Sequence, residues 1–267
     1  KSALEKGKTA EDNQDYEMAL KWYKKASALN PKNGTTYYDV AWCENELEKY
    51  SDAVKTAEAG AKISPTAKLY NEYGYALYML ERDAEAIEKY KKALALNPEE
   101  KGAVKGIADV YFTDKDYNSA EIYYKKCLDL NKDPKVANYK LGYIMNEREK
   151  YQKAVEYELA AIKIDEEYAV AYNELGYAYS QLNQKSTALD NYLKAYNLNP
   201  KSATYSANVA DIYYAVSDLE DLDKAAEFYK KSLAIENKSA KTNYRLGWIL
   251  NDKEKYKLKD NPVNWRW

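Results

Sequence analysis

The stretch AVAYNELGYAYSQLNQKSTALDNYLKAYNLNP, residues 169–200, decides the fold. Tyr172, Leu175, Ala178 and Tyr179 recur at steps of three and four, the spacing that lines apolar side chains along one helix face. After a polar break, Ala188, Leu189, Tyr192 and Ala195 do the same. The segment therefore reads as two amphipathic helices joined by a short turn. Asn199-Pro200 closes the second, because proline disfavours helical backbone in the residue before it.

Working outward, the same unit recurs along the chain. Small residues stand at Gly7, Ala41, Gly74, Ala108, Gly142, Gly176, Ala210 and Gly247, with gaps of 34, 33, 34, 34, 34, 34 and 37. A second ladder runs Ala19, Ala53, Ala86, Ala120, Ala154, Ala188 and Ala225, with gaps of 34, 33, 34, 34, 34 and 37. Two ladders sharing one period, and the same final slip, mark a repeat protein. The slip places three extra residues in AVSDLEDLDK, between Ala210 and Ala225. The first ladder is expected to let paired helix axes approach closely, where a longer side chain would hold them apart.

On these residues the sequence resembles the tetratricopeptide repeat (TPR) family. Tyr172, Leu175-Gly176, Tyr179, Ala188, Tyr192, Ala195 and Pro200 follow its pattern, as do Tyr70, Tyr73-Gly74, Ala86, Tyr90, Ala93 and Pro98. Departures are Ala57 and Gly60 in the second unit and Glu158 in the fifth, which also lacks the closing proline. The resemblance implies an all-α fold, a right-handed α-solenoid of antiparallel helix pairs. It would hold seven repeats (1–33, 34–66, 67–100, 101–134, 135–168, 169–202 and 203–239) and a partial eighth (240–256). Residues 257–267 break the pattern and read as a tail or a cap, with Trp265 and Trp267 available to cover the last apolar face.

A longer period lies inside the first. YYDVAWCENELEKYSDAV in the second unit corresponds to NYKLGYIMNEREKYQKAV in the fifth, and IADVYF to VADIYY. Tyr38 to Tyr139 is 101 residues, and Asn71 to Asn173 and Asp109 to Asp211 are each 102. The duplicated element is thus three repeats, and a chain that opens on the third member of one triplet is expected to derive from a longer array.

The resemblance also implies that the first helix of each pair lines a concave groove through its fifth, ninth and twelfth positions. Those places hold Tyr38, Trp42, Asn45; Asn71, Tyr75, Tyr78; Lys105, Asp109, Phe112; Tyr139, Tyr143, Asn146; Asn173, Tyr177, Ser180; Ala207, Asp211, Tyr214; and Tyr244, Trp248, Asn251. Tyr and Trp offer large contact area at little rotamer cost, and an asparagine amide can pair with any peptide backbone. Both residue types also have a structural use: the aromatics can pack on the next helix, and Asn71 and Asn173 can bond between repeats. A carboxylate clamp of the kind seen in heat-shock co-chaperone TPRs is partly matched. Asn208, Lys241 and Arg245 fill its last three places, while Asn173 and Tyr177 stand at the first two. The alternative use of Lys241 and Arg245 is a solvated helix face.

Composition narrows the function. The chain has no His, which removes Ser-His-Asp catalysis and His-ligated zinc. Two Cys are too few for a disulfide scaffold; Cys43 and Cys127 read as small buried hydrophobes. There is no Gly-rich phosphate loop. A net charge of -2 and a groove without a Lys/Arg track argue against nucleic acid, and 30 Tyr against 2 Phe is the unusual feature of the composition. No apolar run is long enough to span a membrane. The expectation is a soluble, non-catalytic scaffold without cofactor or metal, binding a protein or extended peptide; the sequence does not name its compartment, with the cytoplasm favoured over a periplasmic or extracellular location. Carbohydrate binding, or service as the regulatory arm of a larger enzyme, are the other readings.

Overall fold

The described residues fold as a series of helical hairpins ending in one single helix. The computed structural model describes residues 2–215 and 219–260, with side chains for 2–215 and 221–252. The helices run α1 (Ala3–Asp12), α2 (Tyr16–Leu29), α3 (Gly34–Glu46), α4 (Tyr50–Ile63), α5 (Ala67–Met79), α6 (Asp83–Leu96), α7 (Lys101–Thr113) and α8 (Tyr117–Asp129). They continue as α9 (Pro134–Glu147), α10 (Tyr151–Ile164), α11 (Ala169–Gln181), α12 (Lys185–Leu198), α13 (Ala203–Tyr214), α14 (Leu219–Ile235) and α15 (Ala240–Asp260). No strand occurs among the described residues. The chain forms two compact units, residues 1–137 and 138–267. Within each, a helix packs chiefly on the helices before and after it, as in an α-solenoid. Residues 216–218, in the stretch that carries the three extra residues, and the proposed cap residues Trp265 and Trp267 lie outside the described residues, and α15 runs past position 256 to Asp260.

The small-residue ladders are buried for a visible reason, apart from the exposed Gly247 at the end of the first. Every member of the second ladder, from Ala19 to Ala225, has no exposed surface. In the first ladder Gly7, Gly74, Gly142 and Gly176 sit under a helix-B side chain sixteen residues on. A Cβ at Gly74 would lie 2.7 Å from the ring of Tyr90, and one at Gly176 would lie 2.8 Å from that of Tyr192. The Tyr90 ring is gripped from the next hairpin as well, since a Cβ at Gly106 would come within 2.2 Å of it. The large tyrosines thus act as core residues, and room for them is made in backbone.

The second helix of a pair ends on an extended residue: φ is -140° at Asn30, -150° at Ser64, -143° at Asn97 and -141° at Asn199, each before a proline. Asp165 takes φ -146° with no proline after it, so the packing of the next hairpin suffices to stop α10. The turn within each hairpin has its own signature. Gln14, Glu48, Glu81, Lys115, Glu149 and Asn183 all have positive φ, from 56° to 59°, and follow one another at the repeat spacing. This left-handed residue lets the following N–H return into the helix just ended, as from Asp15 to the Ala10 carbonyl at 2.9 Å and from Arg82 to that of Leu77 at 2.9 Å. Glycine is the usual residue there, and none of these turns has it.

Candidate functional site

The groove positions separate by what their side chains already do. Asn45 is buried, at 3% exposure, and its amide donates to the Glu72 carbonyl at 3.1 Å and to Glu72 Oε2 at 2.9 Å. Asn71 donates to the other oxygen, Glu72 Oε1, at 3.1 Å. The second unit repeats the arrangement. Asn146 donates to the Glu174 carbonyl and Oε2, both at 3.2 Å, and Asn173 to Glu174 Oε1 at 3.2 Å. Burial raises both glutamates above the usual carboxylate range, against the amide bonds that favour the charged form. Asn45 and Asn146 therefore spend their amides clasping consecutive hairpins.

The aspartates form a second repeated set. Asp109 accepts from the Tyr124 hydroxyl at 2.7 Å and from Lys105 Nζ at 2.6 Å. Asp211 accepts from the Tyr229 hydroxyl at 2.6 Å, from Lys241 Nζ at 2.6 Å and from the Arg245 guanidinium. The phenols of Tyr124 and Tyr229 are raised, mainly by burial, with the adjacent carboxylate adding to it. Asn208 donates to Asn173 Oδ1 at 2.7 Å. Lys241 and Arg245, proposed from sequence to meet a partner's carboxylate, are thus already paired with the protein's own Asp211. Arg245 is half-buried in this pair, while Lys241 stays largely exposed.

The aromatics are propped edge-on and keep surface open. Trp42 meets Tyr16 at 5.5 Å between ring centroids, Tyr75 meets Tyr50 at 6.2 Å, and Tyr177 meets Tyr151 at 6.3 Å. Tyr214 lies against Trp248 at 5.7 Å, and Tyr139 against Tyr168 at 5.6 Å. Tyr75 and Tyr177 remain 39% and 38% exposed, Trp248 43% and Tyr244 72%. Tyr38, Tyr78, Tyr143, Phe112, Ser180 and Ala207 are half-buried, and Asn251 is exposed. Lys68 lies over the Tyr38 ring at 5.8 Å. Cys43 and Cys127 are buried free thiols, each pushed up to about 12 by burial.

Six of the groove positions come together in the first unit. Trp42, Asn71, Tyr75, Tyr78, Lys105 and Asp109 line one open cavity of about 300 Å³, shared with Glu46, Glu72 and Tyr90. Sequence reasoning missed Glu46, Glu72 and Tyr90. Glu72 could have been found, because the Asn45–Glu72 pairing recurs as Asn146–Glu174 in the duplicated triplet. Among the described residues no group of His, Cys, Asp and Glu is arranged to hold a metal, and no helix is long and apolar enough to cross a membrane.

Family models described as tetratricopeptide repeat match residues 67–100, and residues 1–33, 106–134 and 169–202. The small glutamine-rich tetratricopeptide repeat-containing protein 2 of Saccharomyces cerevisiae is 37% identical over 89 residues, covering 33% of this chain and 26% of that protein. Heat shock protein STI1 of the same yeast is 34% identical over 113 residues, covering 42% of this chain and 19% of its own length. The chain spans less than a third of the curated relatives it matches. The C-terminal part of a TPR repeat-containing protein from Cytophaga hutchinsonii superposes with a TM-score of 0.67 at 20% identity, covering 91% of this chain and 99% of that one. YrrB, described as a TPR protein with an unusual peptide-binding site, superposes with a TM-score of 0.54 at 19% identity, covering 83% and 96%. These structures share the fold.

Proposed function

We propose that this chain, which belongs to the tetratricopeptide repeat family, is an interaction scaffold that captures an extended peptide segment in the groove of its first unit. The observation that carries the reading is the cavity in which Trp42, Tyr75 and Tyr78 present aromatic surface beside Asn71. Trp42 and Tyr75 are held by other rings and Tyr78 by a hydrogen bond with Thr113, so a ligand meets them already oriented and little rotamer freedom remains to be lost. Asn71 keeps its carbonyl oxygen free to accept from a donor on the ligand. The yeast relatives carry repeats of the same family, and a protein-binding role is consistent with that kinship.

The test is a random peptide library displayed on phage and panned against the full chain. Binders are expected, and Trp42→Ala or Tyr75→Ala should each weaken them by about 2 kcal/mol, roughly thirtyfold in Kd. Because both rings are partly exposed, helical circular dichroism should be unchanged. A library that yields no peptide sensitive to either ring would refute the reading.

A further inference from the structure

Charge at the cavity is unbalanced. Lys105 is spent on Asp109 at 2.6 Å, and Lys132 lies 4.0 Å from Asp133, the neighbouring lining carboxylate. That leaves Glu46, exposed at the rim, and Glu72 beneath it without a cation. Glu46 stands close enough that its charge adds to the upward shift of both Glu72 and Tyr75. Asn71 Oδ1 accepts no hydrogen bond from the protein, whereas its counterpart Asn173 Oδ1 is filled by Asn208. At the position corresponding to Asn208 the first unit has Gly106, which has no amide to offer. The first unit thus retains an unpaired carboxylate, a vacant acceptor and open ring faces.

Elsewhere in the second unit a guanidinium satisfies a carboxylate beside an aromatic ring. There the Arg245 guanidinium lies 5.2 Å from the Tyr214 ring centroid and donates to Asp211. A guanidinium suits this surrounding because it stacks on an aromatic face while its planar fork of donors reaches a carboxylate.

We infer that the segment held by the first unit carries an arginine, seated against Trp42 and Tyr75, with its guanidinium donating to the Glu46 carboxylate and to Asn71 Oδ1. This rests on the groove capture proposed above and gives it a ligand chemistry: the preferred segment is basic.

Panning distinguishes the two levels, since the existence of ring-sensitive binders tests capture and their composition tests the arginine. Selected peptides should share an arginine. Replacing it by citrulline, which keeps the shape and removes the charge, should weaken binding roughly tenfold or more, and Glu46→Gln should do the same. Glu147→Gln, at the corresponding rim position of the second unit, should leave affinity unchanged. Ring-sensitive binders that lack a basic residue, bind the citrulline peptide equally well, or ignore Glu46→Gln would overturn the inference while leaving capture intact. Failure to select any binder would overturn both.

Discussion

Tyr90→Ala should cost about 3–5 kcal/mol, the range for truncating a buried aromatic side chain. The ring is 2% exposed and packs with Leu77, Ala86, Ala93, Ala103, Ile107 and Val110. It also fills the space kept free by Gly74 on its own hairpin and by Gly106 on the next, so two interfaces lose their filling at once. Neither glycine can close the void, because neither has a side chain to move. In an array stabilised by neighbour contacts the loss should be local. Hydrogen exchange in α5 to α8 should accelerate while α1 and α2 change little. Tyr90→Phe separates ring from hydroxyl. No protein group bonds the Tyr90 hydroxyl, so Phe should fall within about 0.5 kcal/mol of the parent. Uniform acceleration through the first unit, or a Phe variant as damaged as Ala, would contradict this account.

Glu158→Met is expected to stabilise the fifth hairpin by about 1–3 kcal/mol, the usual cost of a buried polar group left without a partner. Glu158 stands where repeats three and six place Tyr90 and Tyr192, and it is fully buried. Neither carboxyl oxygen has a hydrogen-bond partner, and Oε1 lies where a Cβ on Gly142 would be, 2.1 Å from it. Burial, seconded by Glu174, pushes the carboxyl well above the ordinary glutamate value. The folded chain therefore holds the proton and the unfolded chain releases it first. Stability from this site is full below about pH 4.3 and falls as pH rises towards the folded value, by up to about 1.4 kcal/mol per pH unit. Glu72 and Glu174 are shifted the same way, but both remain in the variant. The difference between parent and Glu158→Met, followed by denaturant unfolding from pH 4 to 7, isolates residue 158 and should widen with pH. A constant difference would show that Glu158 is ionised in the fold.

The hairpins were legible because burial imposes a period. A residue under a helix-B ring must be Gly or Ala, and a residue between two helices must be small, so Gly74 and Ala86 betray their places wherever the unit recurs. Groove chemistry was less legible, because one-dimensional spacing puts a side chain on a face without saying what faces it. Asn45 shares the stripe of Tyr38 and Trp42, yet its amide is claimed by Glu72, 27 residues on. Lys241 and Arg245 fit a carboxylate clamp in spacing, and only three-dimensional placement brings Asp211 between them. The burial of Glu158 could not be read from its identity, since a glutamate in a helix ordinarily points to water. The turns left no trace in sequence either, because their left-handed corners are filled by Gln, Glu, Lys and Asn.

Those corners bear on how the array can evolve. A side chain other than Gly or Asn in left-handed backbone costs on the order of 1 kcal/mol. Gln14, Glu48, Glu81, Lys115 and Glu149 each carry that charge against stability. Selection could therefore toughen the molecule hairpin by hairpin through single changes at these corners, leaving the interior and the ligand-facing rings as they are.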